Sequence, residues 1–433
     1  MAERCYHFPM SPVAANVGVL SFEEARHVVE RHAAQISEPE TEAVEILSAT
    51  GRVLAEPIFA DRDFPPFPRA TRDGFAVRAA DVAQTPARLR VIGEIKAGDE
   101  ANYQVESNQA AAIMTGAALP AGADAVVMVE YTAQSGDTVE VRRSIASGEN
   151  FVPAGSEARA AQMLVERGTR LDAASLAIAA SVGRTRLGVF RKPRVAVLST
   201  GDEVVPIEAT PGPTQIRNSN SYSLAAQIQQ AGAEAIVLPI APDETTRLRT
   251  LIEQGLEADL LLMTGGVSMG KYDLVEQVLS ELNAEFYFTG AQIQPGRPVV
   301  FGSCSRDIVA SDRRTGMPAA RKKYFFGLPG NPISTMVTFE LFVRPIVGAL
   351  AGMKVGPLIF LKARLKADIK TKTGLKRFLP ALVTGEFEDP EVELIRWQGS
   401  GDIAALARAN CYVVIANDRE SMSAGELVPV MLR

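Results

Sequence analysis

From Arg194 onward the sequence alternates short apolar runs with amphipathic stretches, and this rhythm limits the fold more than any other feature of the chain. "RVAVLST", "AEAIVLPI" and "ADLLLM" read as strands. Helical patterns alternate with them: "SNSYSLAAQIQQAG", closed by Gly232, then "ETTRLRTLIEQGLE" and "DLVEQVLSELN". "PVVFG" and "KKYFFG" read as two more strands, and "PISTMVTFELFVRPIVGAL" as a longer helix. Strands apolar at nearly every position have no face to give to water. Joined through helices, they predict right-handed crossovers and a parallel sheet covered on both faces. Between the last two strands, "SCSRDIVASDRRTGMPAARKK" reads as an exposed basic excursion.

The flanks differ. Ser21-Phe22-Glu23-Glu24 has capping-box spacing and opens the helix "SFEEARHVVERHAAQI". A second short helix is expected around "ETEAVEILSATG", ending at Gly51, and a Pro- and Arg-rich loop from Asp61 to Arg78. Short β-like runs follow ("RLRVIGEI", "AAAIMTG", "DAVVMVEYT", "TVEVRRSI"), then the helix "LDAASLAIAASVG" with Asp172 as N-cap and Gly183 as stop. Past Gly352, "LIFLKARL", "VELIRWQ" and "CYVVIAN" suggest a small barrel. The expected fold is multidomain α/β. It has a split helical domain (1–60 and 153–190), an inserted β domain (61–152), a central doubly wound α/β domain (191–352) and a C-terminal β-barrel (353–433). No internal repeat and no low-complexity tract is present.

Composition narrows the function classes. A length of 433 residues allows about three domains at roughly 150 residues each. A net charge of −6 carries no basic footprint for nucleic acid. No uninterrupted apolar run reaches the ~18 residues of a membrane span. The N-terminal stretch lacks a signal-peptide core, which points to a cytoplasmic protein. Cys5, Cys304 and Cys411 are far apart and odd in number, fitting a reducing compartment without a disulfide framework. The three histidines, His7, His27 and His32, all lie near the start, and the two on the first predicted helix read as a solvated face. Chemistry beyond that point must rest on carboxylates, hydroxyls, amides, Lys and Arg.

Open α/β sheets bind ligands beyond the carboxyl ends of their strands. Three glycine-marked turns fall there: "STGDEVV" (199–205), "TGGVSMGKYD" (264–273) and "GLPGNPIST" (327–335). Glycine lets the backbone approach a ligand, and the freed amides with a following helix N-terminus attract an anion. Ser199, Thr200, Ser268 and Ser334 add hydroxyls. Singly, each such turn is more often a tight connection than a site, and Pro329 and Pro332 alone would be loop punctuation. Three on one edge favour a phosphate-bearing small molecule. No Gly-Lys-Ser/Thr is present, and "GGVSMG" lacks dinucleotide spacing. Carboxylates sit at the same turns: Glu203, Asp243 and Asp273. Helix capping accounts for Asp273 on the plain reading. Acids facing a phosphate otherwise imply a divalent cation between them, and Mg²⁺ held by one or two carboxylates plus phosphates matches.

Several segments together resemble the molybdopterin molybdenumtransferases, the molybdenum insertases related to the catalytic region of gephyrin. They are "RDGFAVRAAD", "IMTGAALPAGADAVVMVE", "STGDEVV", "NSNSYSLAAQIQQAGAEA", "TGGVSMGKYDLVEQVL", "QPGRPVVFG", "GLPGNPISTMVTFELFVRP" and "WQGSGDIAALARAN". The order is that of the family, and the match spans about Ser21 to Arg433. The resemblance implies a pterin-binding central domain and an elongated homodimer with a site shared between subunits. It also implies a reaction in which adenylyl-molybdopterin and molybdate, with Mg²⁺, give molybdenum cofactor and AMP. Carried over by motif, the catalytic set is Asp73, Thr115, Glu203, Asp243 and Asp273, with Glu157 where the family usually has Asp. Asp243 and Asp273 would hold the metal. Ligand contacts would come from Gly265, Gly266, Ser268, Arg297, Pro329, Gly330, Asn331, Pro332, Ser334 and Ser400. A molybdopterin adenylyltransferase and apo-molybdoenzymes are the candidate protein partners.

The chain departs from the family's pattern around the implied oxyanion position. Ala70-Thr71-Arg72 replaces Ser-Ala-Met, Gly290 and Gln294 stand where lysines are usual, Arg297 replaces a lysine, and Pro380 aligns with an arginine. Arg72, Lys271, Arg297 and Arg377 are the cations left to compensate. Arg297→Ala is expected to weaken the response to molybdate, and lysine restored at Gly290 or Gln294 to recover part of that loss. The alternative reading of these losses is a pterin-nucleotide binding or scaffolding paralogue. A generic phosphate transferase is what the loops alone would suggest.

Overall fold

Ser21 opens the first helix, α1 (Phe22–Ala34), with both halves of the expected capping box: the Glu24 amide donates to Ser21 Oγ and the Ser21 amide to the Glu24 carboxylate. The next expected helix is not one. Thr41–Glu45 is a strand and Ile46–Ala49 a single 3₁₀ turn. The spacing of Val44 and Leu47 mimics a helix, but β-branched Thr41, Val44 and Ile46 disfavour it. The computed structural model describes residues 18–266, 274–306, 321–354, 356–386 and 389–433. They form two units, one of residues 1–42, 51–53 and 189–433, the other of residues 43–50 and 54–188.

The second unit is built on a six-stranded sheet of β1 (Gly74–Val77), β2 (Ala87–Ile95), β3 (Gln109–Ile113), β4 (Ala125–Met128), β5 (Thr132–Ser135) and β6 (Thr138–Val141), in the order β4-β1-β3-β2-β6-β5. β1 lies inside the stretch expected to be loop, yet all four of its residues are buried and it pairs antiparallel with β3 and β4. Four residues between Asp73 and Arg78 are too few to announce a strand by pattern. Later in the same unit, α2 (Ala173–Ser181) starts where Asp172 Oδ1 accepts the Ser175 amide at 2.8 Å. It stops before Gly183, whose φ of 73° few other residues adopt.

In the first unit the alternating rhythm becomes β7 (Arg194–Ser199), α3 (Asn220–Gln230), β8 (Glu234–Val237), α4 (Thr245–Gly255), β9 (Leu260–Thr264), α5 (Leu274–Glu281), β10 (Ala284–Phe288), β11 (Val300–Arg306) and β12 (Arg321–Leu328). Sheet order is β8-β7-β9-β12-β11-β10. β8, β7, β9 and β12 run parallel. β11 alone in this sheet runs the other way, antiparallel to both of its neighbours, β12 and β10. The expected parallel sheet is therefore mixed, because β11 and β12 are consecutive partners with no intervening helix among the described residues. The basic stretch between them, 307–320, lies outside those residues. Strand alternation sorts the core. Val195 and Val197 pack with Leu224 and Ile228 of α3 and with Ala25 and Val29 of α1. Ala196 and Leu198 pack with Leu248 and Ile252 of α4 and Val278 of α5 on the opposite face.

The long helix is α6 (Pro332–Thr338) and α7 (Arg344–Leu350) joined through a π turn at Phe339–Val343. Pro345 has no amide to offer the carbonyl one turn back, that of Leu341. Arg26 of α1 takes its place, donating from Nη1 to the Leu341 oxygen at 2.5 Å. By length and composition Pro332–Leu350 could cross a membrane, but 78% of that window is buried inside this protein. His32 of α1 corrects another expectation: it is no solvated residue but stacks on Tyr287, ring centroids 3.8 Å apart. Burial, and after it the charge of Lys322, hold its pKa below the ordinary histidine value. Cys304 and Cys411 are buried thiols that take part in no disulfide.

The C-terminal barrel comprises β13 (Leu361–Leu365), β14 (Lys376–Thr384), β15 (Glu391–Leu394), β16 (Cys411–Ile415) and β17 (Leu427–Leu432), with α8 (Ile403–Arg408) between β15 and β16. Order β14-β15-β13-β17-β16 closes through pairing of β16 with β14. Closure leaves the five barrel strands without an open edge, and the short strand Ile293–Gln294 pairs alongside Lys376 and Arg377 of β14.

Candidate functional site

β7 and β9 end side by side, Ser199 opposite Thr264, and β12 ends beside β9, Leu328 opposite Thr264. The turns leaving them, with α3 and the segment before α8, enclose a cavity of 780 Å³. Its wall includes Thr200, Glu203, Thr264, Gly265, Gly266, Pro298, Pro329, Gly330, Asn331, Pro332 and Gly401.

A partly buried hydrogen-bond knot links these segments. Asn220 Nδ2 donates to Thr264 Oγ1 at 2.9 Å and to the Gly330 carbonyl at 2.7 Å. Thr264 Oγ1 donates to the Pro329 carbonyl at 3.1 Å, and Thr335 Oγ1 donates to the same oxygen. Asn218 fixes the entry to α3: its Oδ1 accepts from Ser199 Oγ at 3.0 Å and from the Ser221 amide at 3.1 Å. The Ile333 amide donates to the Ser400 carbonyl at 2.9 Å, which docks the barrel's loop on the start of α6.

Glycine is needed at the second turn for two reasons. Gly265 and Gly266 have φ of 88° and 58°, and a Cβ on Gly265 would stand 2.4 Å from the Thr200 carbonyl oxygen. Gly330 lies against Gly265, where an added Cβ would meet its Cα at 3.6 Å. Two buried polar atoms here have no hydrogen-bond partner, Thr200 Oγ1 and Asn220 Oδ1. Buried polar atoms are rarely left so, and their occurrence in a cavity wall marks a place for a ligand.

The carboxylates lie to one side. Glu203 is in the wall. The Asp243 amide donates to Asp202 Oδ1 at 3.1 Å, so a second acid, not anticipated from the sequence, joins Asp243. Asp202, Glu203 and Asp243 are exposed and none has an ion-pair partner among the described residues. Among those residues no group of three or more His, Cys, Asp or Glu side chains could hold a metal ion. Asp202 and Asp243 are not in the cavity wall; a pair of carboxylates is the number Mg²⁺ commonly takes from protein when phosphates and water complete its shell.

Not every expected residue falls on the cavity. Ser334 is buried on α6, outside the wall. Arg297 is exposed and also outside it, although Pro298 is in the wall. Arg377 is buried, with no carboxylate partner among the described residues, and its Nη1 donates to the Leu375 carbonyl at 3.0 Å. Gly290 is buried, and a Cβ there would stand 2.9 Å from Val19 Cγ2, so a lysine restored at this position would have to displace that side chain. Gln294 is exposed. Ser268, Lys271 and Asp273 lie outside the described residues. Asp73 and Thr115 belong to the second unit: the Thr115 amide donates to Asp73 Oδ1 at 2.6 Å and holds the Asp73 carboxyl below its ordinary pKa. In that unit Glu157 pairs with Arg69 at 3.2 Å, and Arg72 donates to its neighbour's carbonyl. Arg217, Asn218 and Asn220 were not anticipated as cavity residues. The only signal was polar "RNSN" following a turn.

Known proteins fit this arrangement. Residues 20–183 match the MoeA N-terminal region (domain I and II), residues 196–349 a probable molybdopterin binding domain, and residues 362–432 the MoeA C-terminal region (domain IV). The chain is 35% identical to the molybdopterin molybdenumtransferase of Nostoc sp. (strain PCC 7120) over 91% of its own length and 89% of the relative's. It is 32% identical to the enzyme of that name from Bacillus subtilis (strain 168), covering 91% and 90%. A crystal structure of a molybdopterin biosynthesis MoeA protein from Pyrococcus horikoshii OT3 superposes with a TM-score of 0.74 at 29% identity, covering 96% of this chain and all (100%) of that one. Three matching regions in order, and relatives matched nearly end to end, place the chain in the molybdopterin molybdenumtransferase (MoeA) family, transferases of molybdenum-cofactor biosynthesis.

Proposed function

We propose that the chain is a molybdenum insertase: it takes adenylyl-molybdopterin and molybdate and yields molybdenum cofactor and AMP. The observation that carries this reading is the cavity at the ends of β7, β9 and β12, walled by Gly265, Gly266 and Gly330 and holding two unpartnered polar atoms. Its amides and hydroxyls suit a phosphorylated pterin, and the 264–266 turn lets such a group approach the backbone. Rigid turns held by the Asn220–Thr264–Pro329 knot would fix the substrate relative to an incoming oxyanion, which is how positioning accelerates a reaction. Mg²⁺, when bound, would offset phosphate charge. Asp243 with Asp202 or Asp273 would hold it. The second unit's Asp73 and Thr115 remain in the proposed catalytic set, and Ser268, Arg297, Ser334 and Ser400 among the proposed ligand contacts.

The scaffolding alternative draws on one observation, the packing of Val19 over Gly290, which the usual lysine would have to displace. Release of AMP from adenylyl-molybdopterin on adding molybdate and Mg²⁺ decides between the two. A chain that binds the substrate but releases no AMP is the scaffold. We further propose a cytoplasmic homodimer of subunits divided as 1–60 with 153–190, 61–152, 191–352 and 353–433. A molybdopterin adenylyltransferase would deliver substrate and apo-molybdoenzymes would receive product. Light scattering that finds only monomer at micromolar concentration would rule the dimer out.

A further inference from the structure

The loop that carries Arg297 is held at both ends and in the middle. Where it begins, Gly290 and Ala291 pair in parallel with Val19 and Leu20, a two-residue strand just before α1. The Gln292 amide donates to the Leu20 carbonyl at 2.7 Å. In the middle, Ile293 and Gln294 lie beside Lys376 and Arg377 of β14, and the Lys376 amide donates to the Gln292 carbonyl at 3.0 Å. Toward the far end, Gly296 lies against α6, where a Cβ would stand 2.4 Å from Thr338 Cγ2. Pro298, the neighbour of Arg297, is in the cavity wall.

One contact connects the first of these supports to Arg297 itself. A Cβ on Gly290 would stand 2.9 Å from Val19 Cγ2 and 3.2 Å from the Arg297 carbonyl oxygen, so the bare glycine is what admits both. The same oxygen accepts from the amides of Ala291 and Val299, each at 3.0 Å. We infer that Val19 and Leu20 are positioning residues for the reaction proposed above: through Gly290 and Ala291 they fix the backbone of Arg297 at the edge of the cavity. A positioning element must itself be anchored, and this one is. Phe22, which follows closely, is 7% exposed, and its ring centroid lies 5.3 Å from that of Phe378 on β14. Glu23 pairs with Lys376, whose Nζ also stands 4.6 Å over the Phe22 ring. The benefit is preorganisation. A long cationic side chain gives up rotamer freedom on meeting an anion, and a backbone already fixed adds no further cost. Misplacement by about 1 Å can slow a reaction by about two powers of ten. The inference rests on the insertase reading and adds what holds the Arg297 loop in place.

Hydrogen exchange of the full chain, read by mass spectrometry, follows the loop independently of the reaction. Val19→Gly removes the side chain over Gly290. Exchange at Ala291 and Val299, whose amides donate to the Arg297 carbonyl, should then quicken by about ten-fold while β9 is unchanged. Gly290→Ala presses a methyl on both neighbours and should loosen the same amides. Adding Val19→Ala makes room for that methyl and should restore slow exchange. In assays of AMP release, Val19→Gly should raise the half-saturating molybdate concentration about ten-fold, with KM for adenylyl-molybdopterin as in the parent. Val19→Ile should behave as the parent does. Exchange unchanged at Ala291 and Val299 in both Val19→Gly and Gly290→Ala would overturn the positioning role. So would a loosened loop with parental molybdate dependence. A parent chain that releases no AMP with molybdate overturns the insertase reading instead, and exchange alone then decides whether the strand holds the loop.

Discussion

Thr264 is the centre of the knot, and Thr264→Val isolates its contribution. Valine keeps the shape and the β-branched preference of a strand end. What disappears is a hydroxyl, 2% exposed as a residue, that accepts from Asn220 and donates to the Pro329 carbonyl. The Pro329 oxygen keeps its Thr335 donor, so it is not orphaned. One Asn220 N–H loses its only partner and the other keeps Gly330. A lost bond with one buried donor left unmet costs about 1–3 kcal/mol. For an α/β region of this size that corresponds to a fall in Tm of about 3–8 °C. Binding should fall further than stability, since this one hydroxyl joins α3, through Asn220, to the turn at Pro329. Thermal unfolding followed by titration with 6-hydroxymethylpterin would measure both, with Thr264→Ser as the variant that keeps the hydroxyl. A Thr264→Val chain with unchanged melting and unchanged affinity would refute the claim that the knot sets the turns.

The remaining expectations concern charge. Asp243→Asn and Asp202→Asn should each lower Mg²⁺-dependent AMP release by an order of magnitude or more without unfolding; unchanged release in both removes this acid pair from the metal site. Arg297→Ala should weaken the molybdate dependence of AMP release by about one to two powers of ten, and Gln294→Lys, at an exposed position, should restore part of it. Gly290→Lys, forced against Val19, should instead lower stability; a response to molybdate identical to the parent's in Arg297→Ala would place the anion elsewhere. Asp73 titrates below the ordinary carboxylate range because the Thr115 amide bonds its charged form. Its stabilisation is therefore present above an unfolded pKa of about 3.9 and lost as pH falls through the lower folded value. Side-chain NMR showing an ordinary midpoint for Asp73 would contradict this. His32 also titrates low, through burial. Its neutral form supports the fold above about pH 6.5, and support is lost as pH falls toward the folded value. A His32→Gln chain should lose that acid-linked change in melting temperature, and a parent with a flat profile between pH 7 and 5 would disprove it.

The sequence by itself determined the elements whose reasons are local. The Ser21–Glu24 capping box, the Asp172 cap, the Gly183 stop and the β7-to-α5 alternation depend on neighbours a few residues away, and a linear pattern records them fully. It also marked the cavity's glycines, because turns at strand ends that need positive φ leave few other choices of residue. Only tertiary structure decided the rest. β1 is a strand because β3 and β4 lie on either side of it, and nothing in "GFAV" states that. Whether β11 and β12 run parallel or antiparallel depends on the chain between them, not on their apolar residues. His32 looked solvated because its helical neighbours are charged, and it is half-buried because Tyr287 arrives from a strand some 250 residues later, which only folding brings to it. Arg26 meets the Leu341 carbonyl that Pro345 leaves unmet, a pairing across most of the chain. The cavity follows the same rule: motifs announced its glycines, but the knot through Asn220 and the cation at Arg217 are products of distance in space, and spacing along a sequence carries no measure of that.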